Sequence, residues 1–94
     1  MKHYNEQREE ENAEQIQSDT LTILLSNRIH RELDNKARAI KLSKTCKSVR
    51  DKTKDQILYN ACRNVISAVQ SGNYKQAIDA INLTERNYYE AYGA

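Results

Sequence analysis

The chain contains no proline, and its two glycines are Gly72 and Gly93, so residues 1–71 pass without a strong helix breaker. Proline removes a backbone donor and clashes with the preceding turn, and glycine costs about 1 kcal/mol relative to alanine inside a helix. A chain of 94 residues with this punctuation predicts one all-α domain. At that length roughly 60 to 65% of the unfolded surface can be buried, so the core is expected to be small and its stability modest, and oligomerisation would help it. Eighteen Ile, Leu and Val side chains must fill it without any Phe or Trp, and the aromatics are six tyrosines whose hydroxyls need water or a partner. A wide cofactor cavity is therefore not expected.

No stretch approaches the ~20 apolar residues of a membrane span, and residues 1–6 lack the apolar run of a secretory signal. A cytoplasmic location is the expectation. Cys46 and Cys62 lie sixteen residues apart without a Cys-x-x-Cys motif, which in a reducing compartment favours two buried free thiols over a disulfide or a metal site.

Charge is distributed unevenly. Residues 36–54 carry Lys36, Arg38, Lys41, Lys44, Lys47, Arg50, Lys52 and Lys54 against the single acid Asp51, in a chain whose net charge is only +2. Residues 1–19 sum to −4, and residues 20–35 and 55–94 are close to neutral. The stretch 1–18 has almost nothing to bury, so it is expected to be an acidic N-terminal arm, frayed or disordered unless contacts elsewhere order it. Residues 19–94 are expected to form the helical domain. Glu6, Glu9, Glu10, Glu11 and Glu14 are candidates to pair with the basic band, within the chain or across a dimer.

Ser18, Asp19 and Thr20 offer an N-cap for a helix over about 20–41. At 100° per residue, Leu21, Leu25, Ile29, Leu33 and Ile40 share one side, with Leu24 at its edge, and this side is expected to face the core. Ile16, Ile23, His30 and Ala37 recur every seven residues on the opposite side. That second stripe predicts either a homodimer seam or a bed for the arm folding back. Leu42, Cys46, Val49 and Thr53 align with one another but not with Leu25 and Ile40, so a break is expected near Ser43, with Ser43 as cap. A second break is expected at the capping box of residues 53–56. Between them the band forms a short helix of its own or the first half of one over about 44–70.

Leu58, Ala61 or Cys62, Val65 and Val69 continue a helical pattern that Gly72 closes, and a last helix over about 74–92 carries Tyr74, Ala77, Ile78, Ile81, Tyr88, Tyr89 and Tyr92 on one side. So short a loop predicts an antiparallel hairpin, within a bundle of three or four helices. Residues 58–89 resemble a single tetratricopeptide-type repeat, whose first helix ends at Gly-Asn-Tyr and whose second opens with a pair like Ala77 and Ile78. The resemblance implies local hairpin geometry, and no partner-binding residue is carried over from it.

No catalytic constellation is visible. Neither His3 nor His30 follows an acid by three residues, as a di-metal carboxylate bundle would require, and both cysteines fall on apolar stripes. A glycine-rich phosphate loop cannot exist before residue 72. The sequence thus predicts a non-enzymatic binding module without metal, cofactor or small-molecule substrate, acting by protein–protein interaction and as a homodimer. In composition such a chain is like the small accessory proteins of phages and plasmids, which is analogy only. Two surfaces are candidates. The band from Lys36 to Lys54 could hold an acidic protein or, alternatively, nucleic acid by its phosphates, since no aromatic or amide side chain stands among the cations to read bases. Leu83, Tyr88, Tyr89 and Tyr92 could form a patch for a protein partner.

Overall fold

The computed structural model describes residues 2–93, with side chains from Glu14 onward. Four helices follow in order: α1 (Lys2–Ile29), α2 (Asn35–Lys52), α3 (Gln56–Gln70) and α4 (Tyr74–Tyr92). No strand occurs among the described residues. Helices α2, α3 and α4 pack on one another, most extensively α2 on α3, and α1 lies against α2 and more lightly against α4. The core is built from Ala39, Leu42, Cys46 and Val49 of α2, Leu58, Cys62, Val65, Ile66 and Ala68 of α3, and Ala77, Ile78 and Ile81 of α4. From α1 only Ile23 joins it.

Residues 2–18 are helical and run without a break into the rest of α1. At 1.5 Å per residue α1 is about 42 Å long, whereas α2 and α4 are each under about 30 Å. Gln17 already reaches Tyr88 near the end of α4, so the residues before Glu14 run beyond the ends of their neighbours. The pairing expected of Glu6, Glu9, Glu10 and Glu11 with the basic band falls outside the described side chains.

The expected helix over 20–41 does not exist as one piece. It breaks at residues 30–34, where His30, Arg31 and Leu33 make tightening turn bonds and Asp34 accepts from the amide of Ala37 at 2.8 Å, opening α2. An aspartate cap, with no glycine or proline, makes this corner. Conversely, the break expected at Ser43 is absent. Ser43 is buried inside α2, and its hydroxyl donates to the carbonyl of Ile40 at 2.8 Å, so it stays helical without capping anything. The second break falls where it is expected, within residues 53–56, but its cap is Asp55 and not Thr53. Thr53 ends α2, its hydroxyl accepting from the amide of Asp55, and Asp55 caps α3 by accepting from Leu58 at 3.0 Å.

The α3–α4 hairpin forms as expected. The amide of Asn73 bonds the carbonyl of Ala68 and that of Gly72 bonds Val69, with Gly72 at φ 78°, which is the paired C-terminal pattern glycine favours.

Helix α1 is turned the other way round. Leu21, Leu25, Ile29 and Leu33, expected in the core, are 45, 56, 64 and 40% exposed, whereas Ile23 is 1% exposed and Asn27 fully buried. Ile16 is half-buried, as are His30 in the turn and Ala37 on α2. The seam of Ile16, Ile23, His30 and Ala37 is therefore split between two elements, and Ile23, its centre, is covered by the chain's own core. The physical cause is the polar bed that α2 and α4 offer. Ser26 shares a 2.9 Å hydrogen bond with Thr45, and Asn27 donates to Asn82 and Glu85 while accepting from Arg38. An aliphatic face laid on this bed would leave its polar groups unpaired, at about 1 to 3 kcal/mol each, whereas Ser26 and Asn27 satisfy them.

Candidate interaction surfaces

Three surfaces carry chemistry. The first is the outer face of α2. Because α2 is unbroken from residue 35 to 52, Lys36, Lys41, Lys44, Lys47 and Lys52 project from one helix, all exposed, and Lys54 follows in the turn. The structure removes two members from the expected band. Arg38 turns inward to bond Asn27, leaving its Nε buried without a partner, and Arg50 is half-buried and paired with Asp51 at 3.2 Å. That is the only ion pair among the described residues. What remains is a face of lysines, mobile point charges suited to phosphates or carboxylates but without the planar geometry that arginine gives.

The second surface is the outer ridge of α1. Leu21, Leu25 and Ile29 recur every fourth residue and stand away from Ile23, which with Leu24 at the flank of the ridge is what α1 buries of its large apolar side chains. Leu33, in the turn that follows, is also exposed. Two hydroxyls near the ridge are occupied by the helix itself, since Thr20 donates to Ile16 and Thr22 to Ser18. Only Glu14, Gln17 and Ser18 bring polarity to its N-terminal approach, with a shallow groove between them and Leu21, Thr22 and Leu25.

The third is a cleft of about 530 Å³ where α1 meets the α2–α3 corner, lined by Gln15, Ile16, Asp19, Lys52, Thr53, Lys54 and Asp55. Asp19, expected as part of a cap, is instead buried in mid-helix. Gln15 donates to one of its oxygens at 2.9 Å, and the other is sealed without a partner. In the neighbouring core the thiols of Cys46 and Cys62 lie against each other, both buried and free. Their mutual hydrogen bond and burial push the Cys46 thiol up, and the same bond, aided by the Arg50 charge, pulls Cys62 down. The packing expected of both residues is what is found. No cluster of three or more His, Cys, Asp or Glu side chains able to hold a metal occurs among the described residues.

Compared with protein-family models, with curated proteins and with solved structures, the chain matches none of them.

The expected tyrosine patch is largely spent on the fold. Tyr88 accepts from Gln17 at 3.2 Å and Tyr89 from Arg28 at 3.4 Å, so both fasten α1 to α4. Tyr92 rests on Tyr88 with ring centres 4.8 Å apart, and Tyr89 meets Tyr88 edge-on at 5.6 Å. Leu83 is 54% exposed but lies on the opposite side of α4, so it does not join them. The ridge of α1 carries the apolar stripe that the sequence points inward, and it faces outward. No helix among the described residues is long and apolar enough to cross a membrane.

Proposed function

We propose that this protein is a non-enzymatic binding module that docks on protein through the outer ridge of α1. The observation that carries it is the row Leu21, Leu25 and Ile29, large apolar side chains left 45 to 64% exposed on one side of α1, with Leu33, 40% exposed, in the turn that follows. Solvated lysines cost nothing, whereas each half-exposed Leu or Ile would gain about 1 kcal/mol on being covered, so the ridge is the surface with the stronger reason to be occupied. The occupant is a protein helix of matching apolar spacing, specified further below.

The test compares immobilised parent with Leu21→Glu/Leu25→Glu and with Lys41→Glu/Lys44→Glu, each shown to be folded by circular dichroism. A bound protein retained by the parent and the lysine variant but lost from the ridge variant is the expected result. Equal retention by parent and ridge variant would refute docking through α1.

A second reading is favoured by the continuity of α2: five exposed lysines share one straight helix whose only acid, Asp51, is already paired. In that reading the face holds nucleic acid by its backbone, without base readout. Binding to duplex or single-stranded DNA should then fall steeply between about 50 and 300 mM salt and vanish in Lys41→Glu/Lys44→Glu/Lys47→Glu. Absence of binding at the lowest salt would remove this reading.

A further inference from the structure

We propose that the occupant of the α1 ridge is a second copy of this chain, paired antiparallel about Leu25. This rests on the ridge being a docking surface, and adds to it the partner and the direction.

Three observations point to self-pairing. The ridge is self-complementary under a twofold axis: with Leu25 on the axis, Leu21 of one copy is carried to Ile29 of the other. That is the requirement of an isologous interface, in which one patch serves both sides. Helices α2 and α4 lie against α1 on the side of Ile23 and Asn27, and Leu21, Leu25 and Ile29 stay exposed.

Charge sets the direction. Residues 1–19 sum to −4, whereas residues 20–35 sum to zero. Antiparallel pairing about Leu25 sends the two acidic halves to opposite ends of the dimer. Within the paired span 21–29, Thr22 faces Arg28 and no acid occurs. Parallel pairing would instead lay both acidic halves side by side, a repulsion that low dielectric between the helices would sharpen.

Area supports a reversible dimer. The four ridge residues leave on the order of 350 Å² of apolar surface per copy, and pairing them with their polar flanks would bury roughly 1,000 Å² in total, the low end for a specific interface. Association should therefore depend on concentration.

The experiment is sedimentation of the full chain from about 1 to 500 µM, together with cysteine pairing in a background where native Cys46 and Cys62 are buried. The parent should pass from monomer to dimer over this range. Leu25→Glu, which sets two carboxylates face to face on the axis, should weaken the dimer by at least about tenfold while keeping the parent's helicity and melting profile at low concentration. Leu25→Cys should cross-link to itself on mild oxidation, and a mixture of Leu21→Cys with Ile29→Cys should yield the mixed 21–29 species in preference to 21–21 and 29–29. A parent that stays monomeric throughout overturns the second copy as occupant; if Leu21→Glu/Leu25→Glu nevertheless loses a protein that the parent retains, docking through α1 survives with another partner. A Leu25→Glu chain that dimerises like the parent overturns both. Preferential 21–21 and 29–29 cross-links would overturn the antiparallel direction.

Discussion

The α3–α4 hairpin and helix α1 are attached to α2 by different chemistry. The hairpin contributes Leu58, Cys62, Val65, Ile66, Ala68, Ala77, Ile78 and Ile81 to a shared apolar interior, and its corner is closed by backbone bonds around Gly72. Helix α1 contributes Ile23 to that interior, buries Leu24 as well, and otherwise holds by hydrogen bonds: Ser26 to Thr45, Asn27 to Arg38, Asn82 and Glu85, Gln17 to Tyr88 and Arg28 to Tyr89. Apolar burial is additive and non-directional, whereas a network of polar partners fixes rotation and register but contributes only about 1 kcal/mol net per bond. The hairpin should therefore set the stability of the domain, and α1 should be the part that is specifically oriented and most easily released.

The largest expected effect tests the first half of that contrast. Ile81 is 1% exposed in the middle of α4, and truncating it removes buried methylenes and leaves a cavity among α2, α3 and α4. Ile81→Ala should cost about 2 to 5 kcal/mol in denaturant unfolding and lower protection from hydrogen exchange in every helix. Loss of protection in α1 alone would break the contrast.

Asn27 tests the other half. Its side chain is fully buried and joins α1 to both α2 and α4, accepting from Arg38, whose Nε already lacks a partner, and donating to Glu85 at 2.9 Å. Asn27→Ala should cost about 1 to 3 kcal/mol, because it leaves a guanidinium and a carboxylate without their bridge. The gain in exchange should be confined to the amides of α1 while α3 and α4 keep their protection. A variant that loosens all four helices equally would show that α1 belongs to the same cooperative unit as the hairpin.

The same contrast explains what could be read from the sequence. The hairpin was legible because its apolar residues keep one helical phase, from Leu58 to Val65 and from Ala77 to Ile81, and because Gly72 marks the corner. The stripe of Leu42, Cys46 and Val49 was legible for the same reason. Helix α1 was not, since Leu21, Leu25 and Ile29 form as good a stripe as Ile16 and Ile23, and hydrophobicity alone prefers the larger one. Asn27, Ser26 and Asp19 decided the matter by finding partners on α2 and α4, and pairing across elements has no local signature. The basic band was visible as a run of charge, but not which cations are withdrawn from it: Arg38 by Asn27 and Arg50 by Asp51. The change of stripe near Ser43 is a change of the face buried and not a bend, while Asp34, a good capping residue, carries the real break.

A smaller effect sharpens that last point. Asp34 and Asp55 each accept one amide hydrogen bond at the start of a helix, from Ala37 and Leu58. Asp34→Ala and Asp55→Ala should each cost about 1 kcal/mol, read as a shift in the denaturant midpoint at constant slope. If Asp34→Ala proved neutral, the corner between α1 and α2 would owe its position to the Asn27 network alone.

The smallest effect bears on what α1's outer face is for. At protein concentrations low enough to keep the chain monomeric, Leu25→Ser should change stability by no more than about 0.5 kcal/mol, because Leu25 is 56% exposed and touches little of its own fold. Ile23→Ser, two residues away on the same helix, exchanges a buried aliphatic side chain for a hydroxyl without a partner and should cost several times more. The ratio between the two measures directly how one-sided α1 is. If Leu25→Ser destabilised the monomer as much as Ile23→Ser, the ridge would be part of the fold and not an interface. If it is neutral in the monomer yet costly at high concentration, the same leucine contributes nothing to folding and much to association, which is the signature expected of a face kept apolar for a partner.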